Sequence, residues 1–281
     1  MIGGRGWGSR ILRIYLPVMG FLVLMLFPFY WMLIASIKPN RELYNAKIMP
    51  LIVYQPTLKH YYDLFADTNF LLWTYNTMLV AVITTAVSLV LGAMIAYPLA
   101  RMNFPGAAIV AIGVAATYLV PQPLLFIPMA DIINKLELGN TLSAVMLTYP
   151  TLLIPFCAWL LMGYFKSVPR ELEEAARIDG ASRFQAMWRV VLPLTTPGLL
   201  SAGIFAFTLA QNEFLYALIF LAKSEVRTVP VGVITELIRG DVFYWGQLMA
   251  AALLGSIPVA VIYSFFVDYY VAGLTAGSVK S

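Results

Sequence analysis

The polar segment 167–193 holds the residues whose types and spacing best suit a specific contact. A helix that presents a small-residue face flanked by charges suits insertion into a groove on another protein. A solvated amphipathic hairpin on the membrane surface would show the same pattern, so both interpretations stay open at this point. The segment combines two carboxylates, a pair of small residues and a glycine, namely Glu174, Ala175, Ala176, Asp179 and Gly180.

Local signals in this segment predict two short helices joined by a sharp turn. Pro169 suits the first turn of a helix, and the three glutamates that follow it complement the positive end of the helix dipole. Gly180 stands where a left-handed residue would end that helix. Ser182 and Gln185 match a capping box for the second helix, and Pro193 closes the unit.

Reactive residue types are scarce in the rest of the chain. Cys157 is the only cysteine and lies in an apolar run, which is typical of a small buried hydrophobe. His60 is the only histidine and lies in a predicted loop without a cysteine nearby, so we expect no metal site. No nucleophile stands in a constellation with a base, so we predict no catalytic residues.

The chain also lacks the motif with which many proteins hold nucleotides. No Gly-x-x-x-x-Gly-Lys-Ser/Thr run occurs in the sequence, so the chain is not expected to cradle ATP phosphates itself. We therefore expect no cofactor on this chain. Any ATP and magnesium would belong to a partner.

Glu213 is an acidic residue that interrupts a long apolar stretch. Ionisable groups in such positions usually face a wet cavity or a partner, so Glu213, with Asn212 and Phe214 beside it, is predicted to line a water-filled pathway. A structural role, in which Glu213 hydrogen-bonds to a neighbouring helix, is comparably compatible with the sequence.

Composition places these residues in a lipid bilayer. Of the 281 residues, 61% are hydrophobic and 11% are charged, and the mean hydropathy is +0.82. Soluble domains carry roughly 25% charged residues and about 45–50% apolar ones. So few charges cannot cover a water-soluble surface. The 18 basic residues are scattered and form no patch, which excludes a nucleic-acid-binding protein.

Six charge-free runs of 23 to 33 residues predict an all-α membrane protein with six transmembrane helices. A helix needs about 20 apolar residues to cross the hydrocarbon core, and it satisfies its own backbone hydrogen bonds there. We expect the fifth span to continue past Glu213. The predicted permease domain covers residues 14–270, between tails at 1–13 and 271–281, with spans at about 14–37, 70–100, 105–130, 140–165, 195–222 and 244–270 and a loop at 167–193.

The distribution of lysine and arginine predicts the orientation of the spans. With the N-terminus inside, ten basic residues lie on the cytoplasmic side and eight on the outer side. An excess of basic residues marks cytoplasmic loops. We therefore expect both tails and the loop 167–193 to be cytoplasmic.

The loop also resembles the EAA loop of binding-protein-dependent ABC importer permeases, and within them the maltose-permease-like (MalG-type) carbohydrate group. The likeness covers essentially the whole chain, although the family often has tryptophan where this chain has Gln211. The residues that carry it are Glu174-Ala175-Ala176, Asp179-Gly180-Ala181, Leu192-Pro193, Asn212-Glu213-Phe214-Leu215, Ala96-Tyr97-Pro98-Leu99-Ala100-Arg101 and the ending Gly277-Ser278-Val279-Lys280.

This resemblance implies a type I ABC importer permease fold and a non-catalytic role in ATP-driven import. The EAA helices would dock in a cleft of a cytoplasmic ATPase subunit, with Glu174 and Asp179 fixing the loop by hydrogen bonds or ion pairs. Gly180 would allow the turn, and the tail Gly277–Lys280 would reach toward the ATPases.

The partners that the resemblance implies are a second homologous permease, two ATP-binding subunits and an external substrate-binding protein. The complex would lie in the bacterial inner membrane and import a carbohydrate. Polyols and sugar phosphates remain alternatives as substrates. A secondary transporter or channel, and a membrane scaffold without transport of its own, remain alternatives as functions.

Overall fold

Helices account for nearly all regular structure in this chain. A computed structural model describes the backbone of residues 11–276 and the side chains of residues 13–267. The predicted tail residues Gly277, Ser278, Val279 and Lys280 lie outside these ranges, as do residues 1–10 of the predicted N-terminal tail.

The first part of the described chain alternates long apolar helices with short connecting ones. A π-helical turn, Ile11–Tyr15, leads into the first of them. The helices are α1 Leu16–Ile37, α2 Asn40–Leu43, α3 Lys59–Asp67, α4 Phe70–Arg101, α5 Ala107–Tyr118, α6 Gln122–Lys135, α7 Leu142–Thr148 and α8 Pro150–Ser167.

The second part contains the polar loop and the remaining apolar helices. A π-helical turn, Met187–Val191, lies within the loop, a 3₁₀ turn spans Ser224–Val226, and the strands Ile238–Arg239 and Val242–Phe243 form a short antiparallel hairpin. The helices are α9 Arg170–Ile178, α10 Arg183–Ala186, α11 Leu192–Leu194, α12 Thr196–Gln211, α13 Leu215–Phe220, α14 Val229–Leu237 and α15 Trp245–Ala276.

Four helical segments are long and apolar enough to cross a membrane: Arg13–Ile37, Phe70–Arg101, Leu142–Ser167 and Trp245–Val267. Two further pairs meet the same criterion together, but α5 and α6 are bent by 93° and the run Arg183–Leu194 is bent by 80° against α12. The described residues therefore hold four to six candidate spans, and the count of six stays a prediction.

The breaks in these apolar segments have local causes. Between α5 and α6 the chain meets Pro121, which lacks a backbone N–H and disfavours helical geometry in the residue before it. The predicted segment 195–222 is also divided, because α12 ends at Gln211 and α13 begins at Leu215. The helix is therefore interrupted around Glu213, and the extent of the fifth span stays a prediction.

The described residues form two compact units, and the first comprises residues 11–70 together with Val233–Ile257. Within it, charged side chains hold the loop that follows α1. Lys38 Nζ donates to the Pro50 carbonyl (2.6 Å), and the buried Glu42 carboxylate accepts two backbone amides of the same loop. These contacts satisfy charged groups that would otherwise be costly to bury.

His60 belongs to helix α3 and not to the predicted loop. Its Nε2 donates to the Lys38 carbonyl (2.7 Å), and a Cβ added to Gly246 would lie 2.3 Å from the same nitrogen. Among the described residues no group of three or more histidine, cysteine or acidic side chains could hold a metal ion. The imidazole therefore serves packing and loop attachment.

The second unit comprises residues 71–232 and 258–276 of the described chain. Its core has two clusters of buried side chains. The first includes Cys157, which is fully buried as expected of a small hydrophobe. The second includes Tyr97 and Phe165, whose rings meet edge-to-face at 6.3 Å. The second cluster also contains residues of the polar loop 167–193, namely Val168, Met187, Val191 and Leu192.

Candidate functional site

The first helix of the loop, α9, ends in a turn that only glycine adopts without strain. Gly180 has φ +92°, and its amide donates to the Arg177 carbonyl (3.1 Å) while the Ala181 amide donates to the Ala176 carbonyl (3.0 Å). A residue in the left-handed region with these bonds satisfies the last carbonyls of a helix. The predicted left-handed turn at Gly180 is confirmed.

The second helix of the loop begins at the predicted capping box. The Ser182 hydroxyl accepts the Gln185 amide (3.2 Å), and the Gln185 side chain accepts the Ser182 amide (2.8 Å). From there α10, a π-helical turn and α11 follow one another up to Thr195, where the chain bends by 80° into α12. The loop thus continues directly into an apolar helix.

A buried ion pair attaches α9 to the end of α4. Arg101 Nε lies 2.9 Å from Glu173 Oε2, and the Arg101 side chain is only 2% exposed. The Tyr97 hydroxyl donates to Glu173 Oε1 (2.5 Å). Charge-assisted hydrogen bonds of this kind are roughly twice as strong as neutral ones.

Arg101 also binds the chain just before α9. Its Nη1 donates to the carbonyls of Phe165 (3.3 Å) and Val168 (2.7 Å), and its Nη2 donates to the Pro169 carbonyl (3.3 Å). These carbonyls belong to the end of α8 and to the connection that follows. One guanidinium therefore joins the C-terminal end of α4, the C-terminal end of α8 and the first turn of α9.

The predicted contact residues of the loop are mostly turned outward. Glu174 and Asp179 form no side-chain hydrogen bond or ion pair with other described residues, and the contacts that attach the loop come from Glu173. The role expected for Glu174 and Asp179 stays a prediction. Of the predicted set, Glu174, Ala175, Asp179, Gly180 and Pro193 are exposed, Ala176 and Ala181 are half-buried, and Leu192 is buried.

Sequence reasoning did not predict that Glu173, Tyr97 and Arg101 contact one another. One signal was available, because Arg101 is the only charged residue between Asp67 and Asp131. A single cation at the end of such an apolar stretch needs a partner. The sequence does not say which of three neighbouring glutamates provides it.

Glu213 caps a helix. Its two carboxylate oxygens accept the backbone amides of Tyr216 (2.9 Å) and Ala217 (3.2 Å), in the first turn of α13. The residue is 8% exposed. A carboxylate at a helix N-terminus satisfies orphan amides and the positive end of the helix dipole. This cap stabilises the new helix and explains why the chain breaks between Gln211 and Leu215.

The predicted pathway residues Asn212, Glu213 and Phe214 line a common cavity of about 550 Å³. The wall combines aromatic and aliphatic side chains with a few polar ones, which is typical of ligand sites. The other lining residues are Thr117, Tyr118, Val120, Gln122, Tyr149, Leu152, Leu153, Thr208, Leu209, Ala210 and Leu215.

Residues 88–275, which include both the loop and this cavity, match the model of the family described as "Binding-protein-dependent transport system inner membrane component". This chain belongs to that family. The permease is similar to the sulfoquinovosyl glycerol transport system permease SmoH of Agrobacterium fabrum, with 38% identity over 91% of this chain and 89% of the relative.

Two further comparisons agree. The trehalose/maltose transport system permease MalG of Thermococcus litoralis is 34% identical over 92% of each chain. In structure, the permease resembles a chain of a bacterial ABC transporter that imports the polysaccharide alginate, with a TM-score of 0.78, 20% identity and coverage of 95% of this chain and 99% of the other. The predictions of a type I ABC importer permease fold and of a non-catalytic permease subunit are confirmed.

Proposed function

We propose that this permease forms one half of a membrane pathway through which an ATP-driven importer moves a carbohydrate. Relatives at 33–38% identity are named as permeases for sulfoquinovosyl glycerol, trehalose or maltose, and diacetylchitobiose. These substrates share several hydroxyl groups on a ring. A polyhydroxylated solute is therefore the substrate class that best fits this chain.

The attachment of α9 through Arg101 is the observation that best supports a coupling role for the loop. A loop that transmits force must be held firmly on its own chain and must leave a face free for the partner. The Glu173 ion pair meets the first need, and the exposed Glu174, Ala175 and Asp179 meet the second. Displacement of the loop would act on α4 through Arg101 and on α12 through the bend at Thr195.

The partners are those that the family resemblance implies. A cytoplasmic ATPase would receive the exposed face of α9, and a second, homologous permease would complete the pathway. Two ATPase copies would drive the cycle, and an external binding protein would deliver the solute. Both termini would be cytoplasmic, with the tail Gly277–Lys280 directed toward the ATPases.

The test is reconstitution of the whole importer. The permease is tagged, co-expressed with candidate ATPase, permease and binding-protein subunits of the same organism, purified and placed in liposomes. We expect the ATPase to co-purify and ATP to drive uptake of labelled trehalose, maltose or sulfoquinovosyl glycerol. A matched complex with an ATPase unable to hydrolyse ATP should give no uptake.

Other outcomes would contradict the proposal in distinct ways. Uptake driven by an ion gradient without ATP would indicate a secondary transporter. Retention of the partners without uptake of any solute would indicate a scaffold. Glu213 alone is weak provision for a proton relay, because it is the single carboxylate among the residues that line the cavity.

A further inference from the structure

Three interruptions of apolar helices meet at the cavity described above. The α5–α6 break contributes Tyr118 and Gln122, the junction of α7 and α8 contributes Tyr149, and the α12–α13 break contributes Asn212 and Phe214. In transporters, interrupted helices place polar backbone and side chains where a solute passes. The volume of about 550 Å³ falls within the roughly 300–1,000 Å³ of small-molecule sites.

Some polar groups in the cavity wall have no internal partner, whereas others do. The Thr117 and Thr208 hydroxyls already donate to helix carbonyls, at 2.7 and 2.8 Å. In the part of the chain that the structure describes, the side-chain amide of Gln122 and the hydroxyl of Tyr118 form no hydrogen bond. Asn212 uses its Nδ2 toward the Thr208 carbonyl (2.8 Å), which leaves its Oδ1 as an acceptor.

One aromatic ring of the wall is both exposed and firmly supported. Tyr118 is 51% exposed, and its ring packs against Phe156 at 5.8 Å between centroids. Phe156 in turn packs edge-to-face on Phe205 at 5.9 Å. A ring held from behind in this way offers an apolar face without losing further side-chain freedom. The C–H face of a pyranose ring fits such a surface.

The cavity wall holds one carboxylate and no basic side chain. The carboxylate, Glu213, is buried, and its two oxygens accept the amides of α13. An anion would find no lysine or arginine among the lining residues, and a cation would meet only this buried, hydrogen-bonded carboxylate. The combination of neutral donors and acceptors with an aromatic face suits an uncharged polyhydroxylated ring.

We propose that this cavity is a carbohydrate-binding subsite on this chain, so that the permease itself contacts the solute during passage. Tyr118 stacks on the sugar ring, and Gln122 and Asn212 exchange hydrogen bonds with its hydroxyls. The subsite rests on the proposed import function. It assigns solute contact to residues of this subunit in addition to any that its partner permease supplies.

The experiment compares variants in the reconstituted importer, with whichever of the uncharged sugars trehalose and maltose wild type imports. Import of the anionic sulfoquinovosyl glycerol alone would contradict a subsite for an uncharged ring. Gln122→Leu removes both hydrogen-bonding atoms at similar size, and Tyr118→Leu removes the ring. We expect each to lower kcat/KM for uptake about fivefold or more, as the loss of one contact would. Tyr118→Phe keeps the ring and should retain at least half of the uptake.

The control is Tyr75→Ala, which removes an exposed tyrosine of α4 outside the cavity and should leave uptake unchanged. Complex assembly should stay at the wild-type level in all variants, because a subsite does not hold the complex together. Loss of assembly would assign these residues a structural role and overturn the subsite. Uptake within twofold of wild type in both leucine variants would also overturn it.

Failure of the import function is distinguishable from failure of the subsite. If wild type neither retains an ATPase nor imports any of the sugars, the proposed function falls and the subsite falls with it. If wild type imports a sugar and the cavity variants match it, only the subsite falls. Protection of Asn212→Cys from a thiol reagent by the imported sugar gives a second readout, and equal labelling with and without sugar contradicts the proposal.

Discussion

Arg101 and Glu173 form an ion pair of 2.9 Å that joins the last residue of α4 to the first turn of α9. The two residues are 72 positions apart. Because the Arg101 side chain is 2% exposed, water screens this pair poorly, and the loss of either partner leaves a charge without compensation. The pair is therefore the most sensitive point in the attachment of the loop.

Glu173→Ala should weaken the attachment of the loop without unfolding the protein. An unsatisfied buried partner costs about 1–3 kcal/mol, although Arg101 keeps its carbonyl contacts. We expect trypsin to cleave the purified protein at the exposed Arg177 about tenfold faster, and solute-stimulated ATP hydrolysis by the complex to fall. Glu171→Ala is the matched control, since Glu171 shares the first turn of α9 but is exposed. Equal cleavage of both variants would contradict the anchoring role.

Gly180→Val should impair coupling more than folding. No atom lies within 4 Å of a Cβ added at Gly180, so the cost comes from φ +92° alone, at roughly 1–2 kcal/mol. We expect the complex to assemble while solute-stimulated ATP hydrolysis falls sharply. Gly180→Asn should be milder, because asparagine tolerates the left-handed region. Transport by the valine variant at the wild-type rate would show that the turn geometry is not needed.

Glu174→Ala distinguishes a docking loop from a surface hairpin. Glu174 is exposed on this chain, so its removal should leave the thermal stability of the isolated permease unchanged. In a docked complex it would be desolvated and paired, and its loss should weaken ATPase retention about tenfold. Retention of the ATPase on the detergent-purified complex measures this. Wild-type retention together with wild-type transport would refute the docking role of this residue.

Thiol labelling tests the orientation of the spans. Glu171→Cys places a thiol on α9, and Lys223→Cys places one after α13, both at exposed positions. With the N-terminus inside, a membrane-impermeant maleimide should label Cys at 223 in intact cells and Cys at 171 only after lysis. The parent protein is its own control, because its single cysteine, Cys157, is buried. The reverse pattern would overturn the orientation and the ATPase-facing loop.

Gly232→Ala tests the packing of α14. A Cβ at Gly232 would lie 2.3 Å from the ring of Trp73, which is fully buried and donates to the Ser224 carbonyl (2.7 Å). We expect overpacking to lower the unfolding temperature in detergent, at a cost of about 1–3 kcal/mol. Gly163→Ala in α8 is the control, because nothing lies within 4 Å of its added Cβ. It should keep or raise the unfolding temperature, and a similar loss in both variants would refute the packing argument.

Features that depend on neighbouring residues could be predicted from the sequence. The low charge content places the chain in lipid, where only helices satisfy the backbone, and the apolar runs locate most of these helices. The left-handed turn at Gly180 and the capping box of Ser182 and Gln185 are also predicted correctly, because their geometry is set within a few positions along the chain.

The interruption after Gln211 is a different case. Hydropathy favours one long span there, since a single acidic residue barely changes the average over such a window. The break is decided by the Glu213 side chain, whose carboxylate caps the first turn of α13. Because the Glu213 carboxylate accepts hydrogen bonds from the next helix, ending α12 before it costs little free energy. An average of hydropathy over a window does not contain that information.

Which glutamate anchors the loop was decided by the tertiary structure alone. Successive residues of a helix point about 100° apart, so Glu173 and Glu174 face different directions, and the rotation of α9 against α4 selects Glu173 for Arg101. The cavity has the same origin, because Tyr118 and Asn212 lie 94 positions apart and meet only when three interrupted helices pack together. The sequence by itself determined that the chain lies in lipid, where most of its helices run and how its local turns and caps form. These features depend on composition and near neighbours. The contacts between distant segments depend on helix rotation and packing, which no local pattern specifies.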